Sequence, residues 1–203
     1  MKNRRTLDLT QLGVFSAIII ILAFTPLGVI SFGAVSATTL HIPVIIGAVV
    51  LGPRYGTILG GVMGLSTLLR AAIMPASVLD PLFVNPLLSV LPRLLLGLFA
   101  GLVFVGVKKL LGKFLEDGKL VTSISSGVAA LAGTLTNTIF VLGFLALIYA
   151  EQVAATSVGV AVSMIFGVII STNGLIEILS AVILSIPVSL ALIKLKSKLD
   201  KSF

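Results

Sequence analysis

GTILGGVMGLSTLLRAA (residues 56–72) and NPLLSVLPRLLLGLFAGLVFVGV (residues 85–107) are two apolar stretches that each carry one arginine, Arg70 and Arg93. Both are long enough to cross a bilayer as helices. A charged side chain in hydrocarbon costs at least roughly 2.5–3.5 kcal/mol, so it is retained where it meets a partner or a cavity. Arg70 and Arg93 are therefore the first candidates for a binding site. Glycines at 56, 60 and 64 leave one helix face bare and predict close approach of a neighbouring backbone, and Gly97 and Gly101 form a second such pair. Pro92, immediately before Arg93, removes a backbone donor and predicts a bend, which opens room for a pocket.

The whole chain shares this character. Of its 203 residues, 58% are hydrophobic and 10% charged, against about 25% charged in a soluble domain. The mean hydropathy is +1.24. These values predict an all-α integral membrane protein with room for six helices of roughly 20 residues. The net charge of +7 is no sign of nucleic-acid binding, because twelve of the fourteen Lys and Arg lie in the tails or in short loops. That distribution follows the positive-inside rule and predicts cytoplasmic termini. The MKNRR start before an apolar run resembles a signal peptide, but no small-x-small cleavage site precedes a soluble domain. With no cysteine and one histidine, disulfides, thiolate metal sites and clustered transition-metal sites drop out, and no metal or cofactor is expected.

Helices are predicted over about 12–24, 32–52, 56–72, 86–107, 122–150 and 173–193, within one membrane domain. Residues 41–52 alone are too short to span, so either the second helix begins near Phe32 or a loop folds over the outer face. Ser36, Thr38 and Thr39 are expected to hydrogen-bond their own helix backbone, with pocket lining as the alternative. The apolar stretch 153–170 is read as an outer loop or short packed helix. Counting it as a seventh span would put Lys194, Lys196, Lys198 and Lys201 outside.

The candidate site comprises Arg93, Arg70, Asn137, Asn173 and Glu177, with His41 and Asn85 beside it. Arg93 and Glu177 could instead form a structural ion pair, Arg70 could snorkel to headgroups, and Asn137 could join helices. No phosphate-cradling loop exists: the nearest pattern, ending at Gly112-Lys113, has Phe114 where Ser or Thr should follow. Paired intramembrane acids and nucleophile-base pairs are also missing, so the chain is expected not to be an enzyme.

His41-Ile42-Pro43, Leu51-Gly52-Pro53, the glycines 56–64, Arg70, the block from Asn85 to Arg93, and Asn173 with Glu177 resemble the substrate-binding S components of energy-coupling factor vitamin transporters. The block 85–93 points to the branch that includes the pantothenate S components. The resemblance implies six membrane helices, a vitamin taken from outside, and docking on one transmembrane coupling subunit (the T component) and two ATPases in a bacterial cell membrane. It also implies that Gly13 and Ala17 form a small-residue face for the coupling subunit and that residues 25–39, between helices one and two, act as an outer gate. Two arginines favour an anionic ligand. The absence of Trp and the two Tyr argue against a large flat ring, and pantothenate meets both conditions. Another vitamin or a pyrimidine precursor is the alternative, and a membrane scaffold without transport function is a second.

Overall fold

Glycines at every fourth position leave one side of α3 (Pro53–Ile73) bare, and α5 (Leu91–Leu111) fills it. A Cβ on Gly60 would collide with the Arg93 carbonyl, one on Gly97 with the Gly56 carbonyl, and one on Gly101 with Pro53. The two backbones touch along the whole crossing, as the glycine spacing predicts.

The computed structural model describes residues 2–32, 35–75, 80–154 and 174–202. The remaining helices are α1 (Lys2–Ala23), α2 (His41–Leu51), the single turn α4 (Pro86–Ser89), α6 (Gly118–Ala154) and α7 (Gly174–Ser202). A 3₁₀ turn covers Asp80–Val84. Five helical segments among the described residues are long and apolar enough to cross a membrane: 5–23, 53–73, 86–111, 118–149 and 174–199. The expected sixth crossing is the eleven-residue α2, which rises about 16 Å, roughly half a hydrocarbon core.

Of the two alternatives for 32–52, the helix beginning near Phe32 is corrected. The first part of this stretch is no helix but an antiparallel hairpin, β1 (Val29–Phe32) with β2 (Val35–Thr38), paired from Val29 opposite Thr38 to Phe32 opposite Val35. Apart from this hairpin the described fold is all-helical, as expected. Val, Ile, Thr, Ser and Gly make up most of 29–38 and have low helix propensity, and pairing two four-residue strands satisfies backbone amides without a helix. Thr38 and Thr39 accordingly do not bond a helix of their own. The Thr38 Oγ accepts from the Leu40 amide (3.2 Å), and the Thr39 Oγ donates to the Leu27 carbonyl (2.9 Å).

α2 is buried from His41 to Val50. A helix apolar on all sides belongs in the interior, and here Phe15 and Ile19 of α1, Leu59 and Met63 of α3, Leu96, Ala100 and Phe104 of α5, Ala129 and Ala130 of α6 and Ala181 of α7 surround it. It ends at Gly52, whose φ of 99° favours glycine, and Pro53 starts α3 at once.

Other boundaries move for simple reasons. α1, α6 and α7 run beyond the predicted 12–24, 122–150 and 173–193, since charged residues leave the bilayer without ending a helix. The predicted helix 86–107 is two pieces, separated at Val90 just before Pro92. At the lysine-rich end, Lys196 pairs with Asp8 (2.7 Å) and donates to the Val50 carbonyl (3.3 Å), tying α7 to α1 and α2. The stretch 153–170 lies almost wholly outside the described residues, as does Asn173.

Candidate functional site

The hairpin end of the bundle is where the polar residues converge. α2 and α5 begin there, α6 arrives there and α7 starts there. The Thr38 amide of β2 donates to Glu177 Oε1 in the first turn of α7 at 2.8 Å. His41, the first residue of α2, is 1% exposed, and its ring lies beside the backbone of Thr38 and Glu177. Arg93 is 5% exposed and within electrostatic reach of Glu177, but no direct ion pair joins the two. The structural ion-pair reading of Arg93 is therefore not what the geometry shows.

Asn137 reaches the same level along α6. Gly133 packs against Ala100 of α5 and Ile45 of α2, while Gly127 packs against Val182 and Ile186 of α7. One turn beyond Gly133, towards the hairpin end, α6 is level with the beginnings of α2 and α7 and with Leu96 in the second turn of α5. Asn137 is buried there, and Thr134 is buried nearly one turn below it.

Two contacts hold Arg93, and one of its N–H groups is left free. Its Nη1 donates to the Leu88 carbonyl at 2.7 Å, its guanidinium lies over the Phe83 ring with 5.2 Å to the centroid, and its Nε is buried without a hydrogen-bond partner. The Ser89 hydroxyl donates to the Phe83 carbonyl and so ties the 3₁₀ turn to α4. Asn137 Oδ1, Thr134 Oγ1 and both nitrogens of His41 are also buried without a well-aligned partner. A threonine hydroxyl on a helix can turn to its own backbone, so the weight rests on Arg93, Asn137 and His41. Leaving such a group unpaired costs about 1–3 kcal/mol. A cation with a free N–H, an amide oxygen and an imidazole, all buried, can take up a small molecule that carries both an anion and neutral polar groups.

Two of the candidates are engaged with other residues. Arg70 lies nearly two turns beyond Gly64 at the end of α3 and pairs with Asp80 at 3.8 Å. Asn85 caps α4: its Oδ1 accepts from the Leu87 amide (3.0 Å) and its Nδ2 donates to the Tyr149 hydroxyl (3.3 Å). Tyr149, where α6 departs from helical geometry, donates in turn to the Leu82 carbonyl (3.4 Å). Phe83 escaped the sequence reading, since no spacing rule joins a 3₁₀ turn to an arginine ten residues later. Gly13 and Ala17 are exposed on α1, and nothing lies within 4 Å of where a Gly13 Cβ would sit.

The chain matches the family described as ECF transporter, substrate-specific component, across residues 7–189. It is 32% identical over 213 aligned positions to the pantothenic acid transporter PanT of Lactococcus lactis subsp. cremoris (strain MG1363), covering 97% of this chain and 99% of that one. It is also 37% identical over 110 positions to the pantothenate transporter PanT of Leuconostoc mesenteroides subsp. mesenteroides, covering 51% of this chain and 53% of the relative.

Proposed function

Because the chain belongs to the family of substrate-specific components of ECF transporters, we propose that it binds pantothenate at the hairpin end of the bundle and hands it to a transport complex. The observation that carries the assignment is Arg93: a buried guanidinium with no direct ion-pair partner among the described residues and an unpartnered Nε. Pantothenate is small, aliphatic and carboxylated, with two hydroxyls and an amide. Its carboxylate suits the guanidinium. Its hydroxyls and amide suit the buried polar atoms of Asn137, Thr134 and His41, which are short of partners. The names of the two relatives support the same ligand.

In this reading the hairpin covers the site, and the Thr38 to Glu177 bond holds the cover against α7. Glu177 then acts on the gate more than on the ligand. Arg70 and Asn85 support the 3₁₀ turn and α4 on which Arg93 rests. The lysine-rich end faces the cytoplasm, with both termini on that side, six crossings in all and 153–170 outside or packed on the outer face. External labelling of Lys201→Cys in intact cells would overturn that orientation. Energy for uptake comes from a T component and two ATPase subunits, because no nucleotide loop is present in this sequence. Gly13 and Ala17 on α1 form the face for the T component.

Calorimetric titration of pantothenate into the purified chain tests the assignment directly. Saturable binding at one site per chain is expected. Its absence from a well-folded preparation would sink the proposal.

A further inference from the structure

We propose that Pro92 is a positioning residue for Arg93: by withholding an amide from the Leu88 carbonyl, it leaves that oxygen for Arg93 Nη1 and thereby decides which edge of the guanidinium faces the site. The inference rests on Arg93 as the carboxylate-binding group and explains how that group is aimed.

In an unbroken helix the amide of residue 92 would donate to the carbonyl of residue 88. Proline has no amide hydrogen. The backbone pattern reflects this: the Val90 amide bonds the Pro86 carbonyl (2.8 Å), and the Leu94 amide resumes with the Val90 carbonyl (3.0 Å). Leu88 is fully buried, so water is no substitute donor, and a buried carbonyl without a donor is costly. Arg93 Nη1 supplies the missing donor at 2.7 Å.

The consequence for Arg93 follows from the shape of its head. The guanidinium is planar, with its N–H groups in a fixed fork. Once Nη1 is committed to Leu88, the opposite edge, made by Nε and Nη2, is turned away from the broken turn. That edge presents two parallel N–H groups, the arrangement a carboxylate accepts. Nε on it has no protein partner. Phe83 sets the plane by lying against one face, and Leu88 sets the rotation within that plane. The break cannot drift, because Cβ atoms on Gly60 and Gly64 of α3 would run into the backbone of Arg93 and of Ser89 and Val90.

The test is a double-mutant cycle on the ligand-free protein joined to a comparison of two ligands. Arg93→Ala leaves the Leu88 carbonyl without a donor and should lower the melting temperature. Pro92→Ala restores an amide, so the double variant Pro92→Ala/Arg93→Ala should recover most of that loss. Pro92→Ala alone should melt no lower than wild type. Its preference for pantothenate over panthenol, the neutral alcohol in which the carboxyl is reduced, should fall about tenfold, equivalent to about 1.4 kcal/mol. A double variant as unstable as Arg93→Ala would overturn the Leu88 link, and an unchanged ligand ratio in Pro92→Ala would overturn the aiming role. A wild type that shows no preference for pantothenate, with the stability rescue intact, would instead overturn the carboxylate reading of Arg93.

Discussion

The Thr38 amide and the Glu177 carboxylate meet at 2.8 Å across 139 residues of sequence. This bond joins the hairpin to α7 over the cluster of His41, Arg93 and Asn137. If the hairpin closes the site, the strength of the bond sets how fast ligand escapes. A hydrogen bond to a charged group contributes about 1.5–3 kcal/mol, so Glu177→Ala should speed pantothenate dissociation by roughly 10- to 150-fold. Glu177→Gln keeps an oxygen for the Thr38 amide and should change it less. Radioligand exchange on purified protein measures both, and an unchanged off-rate in Glu177→Ala would detach the hairpin from gating.

Two arginines in similar sequence settings should behave differently. Removing one partner of a desolvated charge pair costs about 2–5 kcal/mol, so Arg93→Ala should weaken pantothenate binding by roughly thirty-fold to several thousand-fold. Arg93→Lys should recover part of that, because a point charge replaces a fork. Arg70 is engaged with Asp80 near the end of α3, and Arg70→Ala should change affinity by less than about threefold, the effect of a partly exposed ion pair. Calorimetry on the three variants separates the roles. Equal losses at Arg70 and Arg93 would mean that both arginines share the anion.

The α3–α5 crossing predicts a sharp contrast among glycines. Gly97→Ala places a methyl against the Gly56 carbonyl, and overpacking of this kind costs about 1–3 kcal/mol. Gly13→Ala meets nothing within 4 Å and should be neutral or slightly stabilising, since alanine favours the helix. Melting curves in one detergent decide it. A Gly97→Ala protein as stable as wild type would show that the crossing yields easily.

Coupling should be separable from binding. Gly13→Trp and Ala17→Trp enlarge an exposed face of α1 far from the polar cluster. Both should abolish pantothenate uptake in cells that supply the partner subunits while leaving affinity unchanged. Normal uptake by both variants would rule out this face as the docking surface.

Much of the scaffold was legible because it rests on local properties. The length of an apolar run decides whether a helix can cross a bilayer, and glycine spacing decides which face is bare; residue identities alone show both in 56–72 and 85–107. The Pro92-Arg93 pair likewise announced a broken helix with a cation at the break. The hairpin was not legible, since four-residue strands of small residues carry almost no periodicity, and a run reaching from Phe32 to Gly52 looks like one helix with a polar start.

The sequence by itself determined that this chain lives in a membrane, where its long helices lie, which of them approach closely and which arginine is hardest to explain without a partner. These follow from hydropathy and from the presence or absence of a side chain at fixed helical intervals. Only the tertiary structure decided that α2 is a short buried core helix, that Arg70 pairs with Asp80, that Glu177 accepts from Thr38 and that Arg93 donates to the Leu88 carbonyl. The partner of a buried charge is set by which elements pack together, and no spacing along the chain encodes a contact between residues 38 and 177.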